Sequence, residues 1–170
     1  MLTPVRVRKW SAQSSAFAIV ASRYNSRYVD GMLIAAVRDL KRARAQTIKV
    51  VRVPGAYEIP LVAARLARAG SSHGSRITHR PPFSAIICLG VILRGETVHA
   101  AHIGEAVSRA LMEIQLAHDI PVIHEVLLLE NEAQARVRCL NPKHNRGTEA
   151  AQAALAMARV MENLNSESAV

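Results

Sequence analysis

Aromatic residues are scarce in this chain, only 4% of 170 positions, while half of all residues are hydrophobic. A core built without aromatics must be filled by alanine, valine, leucine and isoleucine. That suits strands buried on both faces with helices packed closely against them. Cysteine is nearly absent. Cys88 and Cys139 fall in segments that read as strand and helix, lack metal-ligand spacing, and predict reduced thiols in a cytosolic protein. No apolar run is long enough to span a bilayer, and Arg6, Arg8 and Lys9 are not followed by the apolar stretch of a signal peptide. A soluble, cytoplasmic protein without a membrane partner is expected. Basic residues give a formal charge of +9, yet they scatter over many segments with no stripe interleaved with aromatics, which argues against nucleic acid. Internal repeats and a dinucleotide glycine fingerprint are also missing.

What is present is alternation. Strand-length apolar runs at Ala16 to Ser22, Ile48 to Val53, Ser84 to Ile92 and Pro121 to Leu129 are separated by helical patterns. These helices are predicted through Val29 to Leu40, closed by the basic run Lys41 to Arg44, through Leu61 to Ala67 with a stop near Gly70, and over Ile103 to Ala117. Two more follow: a short one over Glu132 to Arg138, and a long one from Thr148, read as its N-cap, to Leu164. The order predicts an α/β three-layer sandwich around a four-stranded parallel sheet, in one domain spanning residues 1–170. Residues 1–15 read as an N-terminal arm, the polar segment 70–82 as a surface insertion and 165–170 as a loose tail. His73 and His79 in the insertion lack cysteine or carboxylate neighbours, and no metal site is expected.

Ligands of such sheets gather at the carboxyl ends of the strands, and each strand end here carries polar residues. Arg23, Tyr24 and Asn25 follow the first strand, and Gly55, Ala56, Tyr57 and Glu58 the second. After the third comes Arg94-Gly-Glu-Thr-Val-His99, a small-residue turn that leads into a helix. Its amides, the Thr97 hydroxyl and the helix dipole suit an anion, and His99 suits proton transfer; an ordinary strand-to-helix loop with a surface histidine has the same residues. The fourth strand brings His124, then Asn131. Tyr24 offers a ring for a heterocycle or for packing, Glu58 an acceptor or a helix-start carboxylate, Arg138 a phosphate contact or a solvated charge.

Taken together, Arg23-Tyr-Asn25, Val53-Pro-Gly-Ala-Tyr-Glu-Ile-Pro60, Leu89 through His99, Pro121-Val-Ile, Glu130-Asn, Gln134-Ala, Arg138 and Asn145-Arg-Gly-Thr-Glu-Ala150 resemble the 6,7-dimethyl-8-ribityllumazine synthases over about residues 16 to 163. The resemblance implies a flavodoxin-like fold and a transferase of riboflavin biosynthesis. That reaction condenses 5-amino-6-(D-ribitylamino)uracil with 3,4-dihydroxy-2-butanone 4-phosphate, without a cofactor. It implies that Tyr24, Asn25, Ala56, Tyr57, Glu58, Val91, Ile92, Leu93 and His124 bind the ribitylaminouracil. Glu96, Thr97 and Arg138 would bind the butanone phosphate, and His99 would transfer protons.

The resemblance further implies active sites shared between subunits of a homopentamer, which in some members builds a sixty-subunit icosahedral shell. It implies an N-terminal segment that adds a strand to a neighbouring subunit, and riboflavin synthase as a partner. Three departures stand out. Ala100-Ala101-His102 replaces an aromatic, an acid and an aromatic; His124 replaces a phenylalanine; Leu128-Leu129 replaces a threonine pair. They leave open a second reading, a weakly active or inactive shell or ligand-binding protein of the same fold.

Overall fold

The computed structural model describes residues 11–68 and 82–167. Four strands, β1 (Ala16–Ser22), β2 (Thr47–Val53), β3 (Ala85–Leu93) and β4 (Val122–Leu129), form one parallel sheet in the order β2-β1-β3-β4. The helices are α1 (Ser26–Arg42), α2 (Ile59–Arg68), α3 (His99–His118), α4 (Glu132–Ala135) and α5 (Arg146–Glu167), with a π-helical turn at Arg136–Leu140 after α4. The central strands β1 and β3 are almost wholly buried, as apolar strands covered on both faces must be, whereas the edge strands β2 and β4 carry exposed residues.

Alternation along each strand divides the core in two. Phe17, Ile19 and Ala21 of β1 pack with Val29, Met32 and Leu40 of α1 and with the alanine face of α5; Ala18 and Val20 pack with Ile59 and Ala63 of α2 and Val107 and Leu111 of α3. Each fully buried large side chain contributes roughly 1.5–3 kcal/mol, so the aliphatic composition suffices for a stable sandwich. The chain crosses from β1 to β2 on one side and returns past β1 to β3 and β4 on the other. The winding therefore reverses between β1 and β3, the point at whose carboxyl ends sheets of this kind form a ligand crevice.

Several sequence expectations need correction. α3 begins at His99 rather than Ile103, because the alanine-rich turn before the first large apolar residue is already helical and buries Ala100. α5 begins at Arg146, and its cap is Asn145, whose carbonyl and side-chain oxygens accept amides of the first turn; Thr148 lies inside the helix, where its hydroxyl accepts from Arg38. α5 also runs through Asn165, Ser166 and Glu167, the start of the expected loose tail. The short helix expected through Arg138 ends at Ala135 and widens into the π turn. The stop at Gly70, most of the arm and of the 70–82 insertion, and the last three residues lie outside the described residues.

Candidate active site

The crevice between β1 and β3 is built from short hydrogen bonds. After β1, the amides of Arg23 and Tyr24 donate to the carbonyls of Val53 and Pro54, which fastens this turn to the end of β2. Asn25 then takes a left-handed backbone (φ 56), a conformation asparagine tolerates better than most residues. Its Nδ2 donates to the Val91 carbonyl at 2.8 Å and ties β1 to β3 at the reversal point. Asn25 thus has a backbone partner within the subunit in addition to the substrate role the resemblance implies.

The β2–α2 turn brings Tyr24, Gly55 and Glu58 into one cluster. Glu58 Oε2 accepts the Gly55 amide at 2.8 Å, the helix-start role open from the sequence. A Cβ on Gly55 would sit 2.9 Å from both that carboxylate and the Tyr24 ring, so only glycine lets ring and carboxylate close over this turn. Tyr24 and Tyr57 remain 71% and 65% exposed, large apolar faces without cover among the described residues. Ala56, Val91 and Ile92 are buried, while Leu93 is half-buried.

At the end of β3, the Arg94 amide donates to the Leu129 carbonyl and holds the two strand ends together. Gly95 then has open space where a side chain would stand, so an oxygen of a ligand can reach the main chain there. Glu96, Thr97, Val98 and His99 are exposed. The N-cap Val98 provides no side-chain acceptor and the first turn of α3 carries no acidic residue, so the positive end of a 20-residue helix is left uncovered. His99 is the first residue of that helix. An imidazole beside free amides is equipped to move a proton next to a bound anion.

His124 and Arg138 lie elsewhere. His124 sits mid-strand, opposite Cys88, five paired positions before the Leu93–Leu129 end of the ladder, or about 16 Å at ~3.3 Å per residue. The carboxyl end of β4 lies beside that of β3, with Asn131 following it, while His124 is set back from that edge within one subunit. His124 is exposed, and its Nε2 is 2.8 Å from Ser108 Oγ of α3. Ser108 donates its hydroxyl hydrogen to the Gly104 carbonyl at 2.7 Å. With that hydrogen committed, the serine oxygen accepts from Nε2–H, and Nδ1 has no partner among the described residues.

Arg138 lies exposed on the π turn. Next to this turn is a cluster that sequence reading missed: Glu125 is nearly buried and takes a two-pronged bond from Arg146 (2.9 and 2.8 Å), which also pairs with Glu149. Burial pushes the Glu125 carboxyl up to about 6, against the pull of the Arg146 bond and charge and of the more distant Arg138 charge. Among the described residues no group of three histidine, cysteine or acidic side chains could hold a metal ion; His73 and His79 lie outside them. Both cysteines are buried and free, and burial raises their thiols, Cys139 to about 11.

The family model described as 6,7-dimethyl-8-ribityllumazine synthase matches residues 14–162. Proteins named 6,7-dimethyl-8-ribityllumazine synthase are similar over 89% of this chain and 92% of their own length. One from Stenotrophomonas maltophilia (strain R551-3) is 39% identical over 154 residues, and one from Xanthomonas euvesicatoria pv. vesicatoria 38%. A third, from Xanthomonas campestris pv. campestris (strain B100), is 37% identical over 153 residues. With a family model covering most of the chain and relatives matched across nearly their whole length, the chain belongs to the 6,7-dimethyl-8-ribityllumazine synthase family.

Proposed function

We propose that the chain is a single catalytic domain that condenses 5-amino-6-(D-ribitylamino)uracil with 3,4-dihydroxy-2-butanone 4-phosphate to 6,7-dimethyl-8-ribityllumazine. The observation that carries this reading is the uncovered start of α3, with Gly95, Thr97 and His99 exposed beside the crevice lined by Tyr24 and Glu58. The names of the matched relatives favour the synthase over an inactive ligand-binding shell.

In this reading the Tyr24 ring stacks on the pyrimidine, Ala56, Tyr57 and Glu58 hold the ribityl chain, and Val91 to Leu93 line the ring edge. The turn at Glu96 and Thr97 receives the phosphate, with Arg138 completing its charge balance. The substrate amine attacks the butanone carbonyl and a first water leaves as the imine forms. Loss of a carbon-bound proton and of phosphate gives an enol that becomes a second carbonyl, and the second amine condenses with it, closing the ring and releasing a second water. Each step moves a proton, which His99 accepts and returns. Holding two substrates in register supplies most of the acceleration.

We assign the working unit to a pentamer with sites shared between subunits. His124 and the β1–β3 crevice are separated within one subunit, and Leu61, Met112, Leu116 and Val137 expose apolar surface. No helix among the described residues is long and apolar enough to cross a membrane. The cytosol suits its free thiols. Mixing purified protein with both substrates and following the fluorescence of the lumazine tests the reading. Product formation supports the synthase, and intact assembly without product overturns it.

A further inference from the structure

The π turn that carries Arg138 is held by one buried amide. Asn145 is 7% exposed and its Nδ2 donates to the Cys139 carbonyl at 2.6 Å and to the Gly31 carbonyl at 3.3 Å, while its Oδ1 accepts the Gly147 amide at 2.9 Å. One side chain thus joins the end of the π turn, the middle of α1 and the first turn of α5. The backbones meet without room to spare. A Cβ on Gly31 would lie 2.7 Å from the Cys139 oxygen and 2.6 Å from Leu140, and one on Gly147 only 1.9 Å from the Met32 oxygen.

Arg138 immediately precedes Cys139. Among the described residues no side chain hydrogen-bonds or pairs with its guanidinium, so its direction is set by the backbone that carries it. A π turn is an unfavourable local geometry, found where something outside the helix holds it. Here Asn145 supplies the donor for a carbonyl at the end of the turn, where helical partners run out. Tilting the Cys139 peptide would swing a long side chain one residue away and displace its charged end by a much larger arc.

We infer that Asn145 is a positioning residue for Arg138: by clamping the π turn to α1 and α5 it fixes where the guanidinium meets the butanone phosphate. The inference rests on Arg138 being the phosphate contact. Asn145→Asp keeps the acceptor for the Gly147 amide and removes both donors. Gly31→Ala leaves the Asn145 side chain in place and presses on its acceptor, the Cys139 carbonyl, from α1.

The assembled protein is compared with these variants, with Arg138→Ala, and with the double variant Asn145→Asp/Arg138→Ala. Michaelis constants for both substrates and the affinity for inorganic phosphate are measured. Both positioning variants are expected to raise the constant for the butanone phosphate and weaken phosphate by ~10-fold, with the ribitylaminouracil constant within ~2-fold of wild type. Adding Asn145→Asp to Arg138→Ala is expected to change phosphate affinity little further, because the group it positions is gone. Equal rises for both substrates, or a full additional loss in the double variant, would overturn the inference and make Asn145 merely structural. Should Asn145→Asp or Gly31→Ala fail to fold, Asn145→Ser, which keeps a cap oxygen but withdraws the donor from the Cys139 carbonyl, reads the same split. Phosphate affinity unchanged in Arg138→Ala would instead remove the premise, a different failure from one in which Arg138→Ala is impaired and Asn145→Asp is not.

Discussion

Two corners of this molecule use their polar groups in opposite ways. At the β1–β3 crevice, side chains fasten the turns below, while the amides and dipole at the start of α3 have no side-chain cap and two tyrosines are left bare. At the corner where β4, the π turn and α5 meet, side chains are turned inward: Asn145 satisfies three backbone groups, and Arg146 is matched by two carboxylates. An open array of donors suits a transient anion. A closed one suits a frame that must not move while the anion is bound.

The same glycine-to-alanine change should separate the two corners most sharply. At Gly147 the new methyl would run into the Met32 carbonyl of α1, and both helices must part to admit it. A loss of about 3 kcal/mol or more is expected, at or beyond the usual range for overpacking, with a large fall in melting temperature. Gly95→Ala points into open space and should change stability by less than ~0.5 kcal/mol, while weakening the butanone phosphate. Similar melting temperatures for the two variants would dissolve the contrast.

His99→Ala tests the open corner by activity. The imidazole is exposed at the first residue of α3, so folding and assembly should be untouched. Turnover should fall by up to ~10²-fold, as for loss of one general acid/base. A variant as fast as wild type would place the proton carrier elsewhere, with His102, one residue past Ala101 in the same helix, the first to examine.

The contrast also explains what the sequence made legible. Strand and helix order followed from apolar periodicity, and the polar residues after β1, β2 and β3 were visible because a parallel sheet presents its carboxyl ends to one side. The closed corner was not visible. Glu125 and Arg146 are 21 residues apart and meet only when α5 packs on β4; until then each reads as a surface charge. A lone glutamate inside the apolar run Val122 to Leu129 was the available signal, since a charge in such a run needs a partner. By residue type Thr148 and Asn145 have equal claim to the cap, and only the packing of Asn145 against the π turn and α1 separates them. The π turn leaves no periodic mark.

Glu125 gives the closed corner a pH signature. Its carboxyl is raised from 4.5 to about 6 by burial, so the folded state holds a proton that the unfolded chain has lost over this window. Stability from this group is present below pH 4.5 and declines as pH rises through about 6, by at most about 2 kcal/mol. Facing it are Arg146, Glu149 and, farther off, Arg138. Glu125→Gln should flatten the dependence of the denaturation midpoint between these pH values. An unaltered slope would show that another group carries it.

The smallest expected effect belongs to His124, which stands between the two corners on the exposed edge strand. Ser108 holds its Nε2–H and fixes the plane of the ring. In the proposed pentamer, with a neighbour's pyrimidine pocket against this strand, the ring presents a polar wall where phenylalanine would present an apolar one. His124→Phe should then tighten ribitylaminouracil by ~1 kcal/mol, as for a modest aromatic contact. Ser108→Ala keeps the ring but frees its orientation, and should change the affinity by less than that. Titrating the ligand into all three proteins decides the matter: equal affinities would take His124 out of the site and leave it a partner of Ser108 alone.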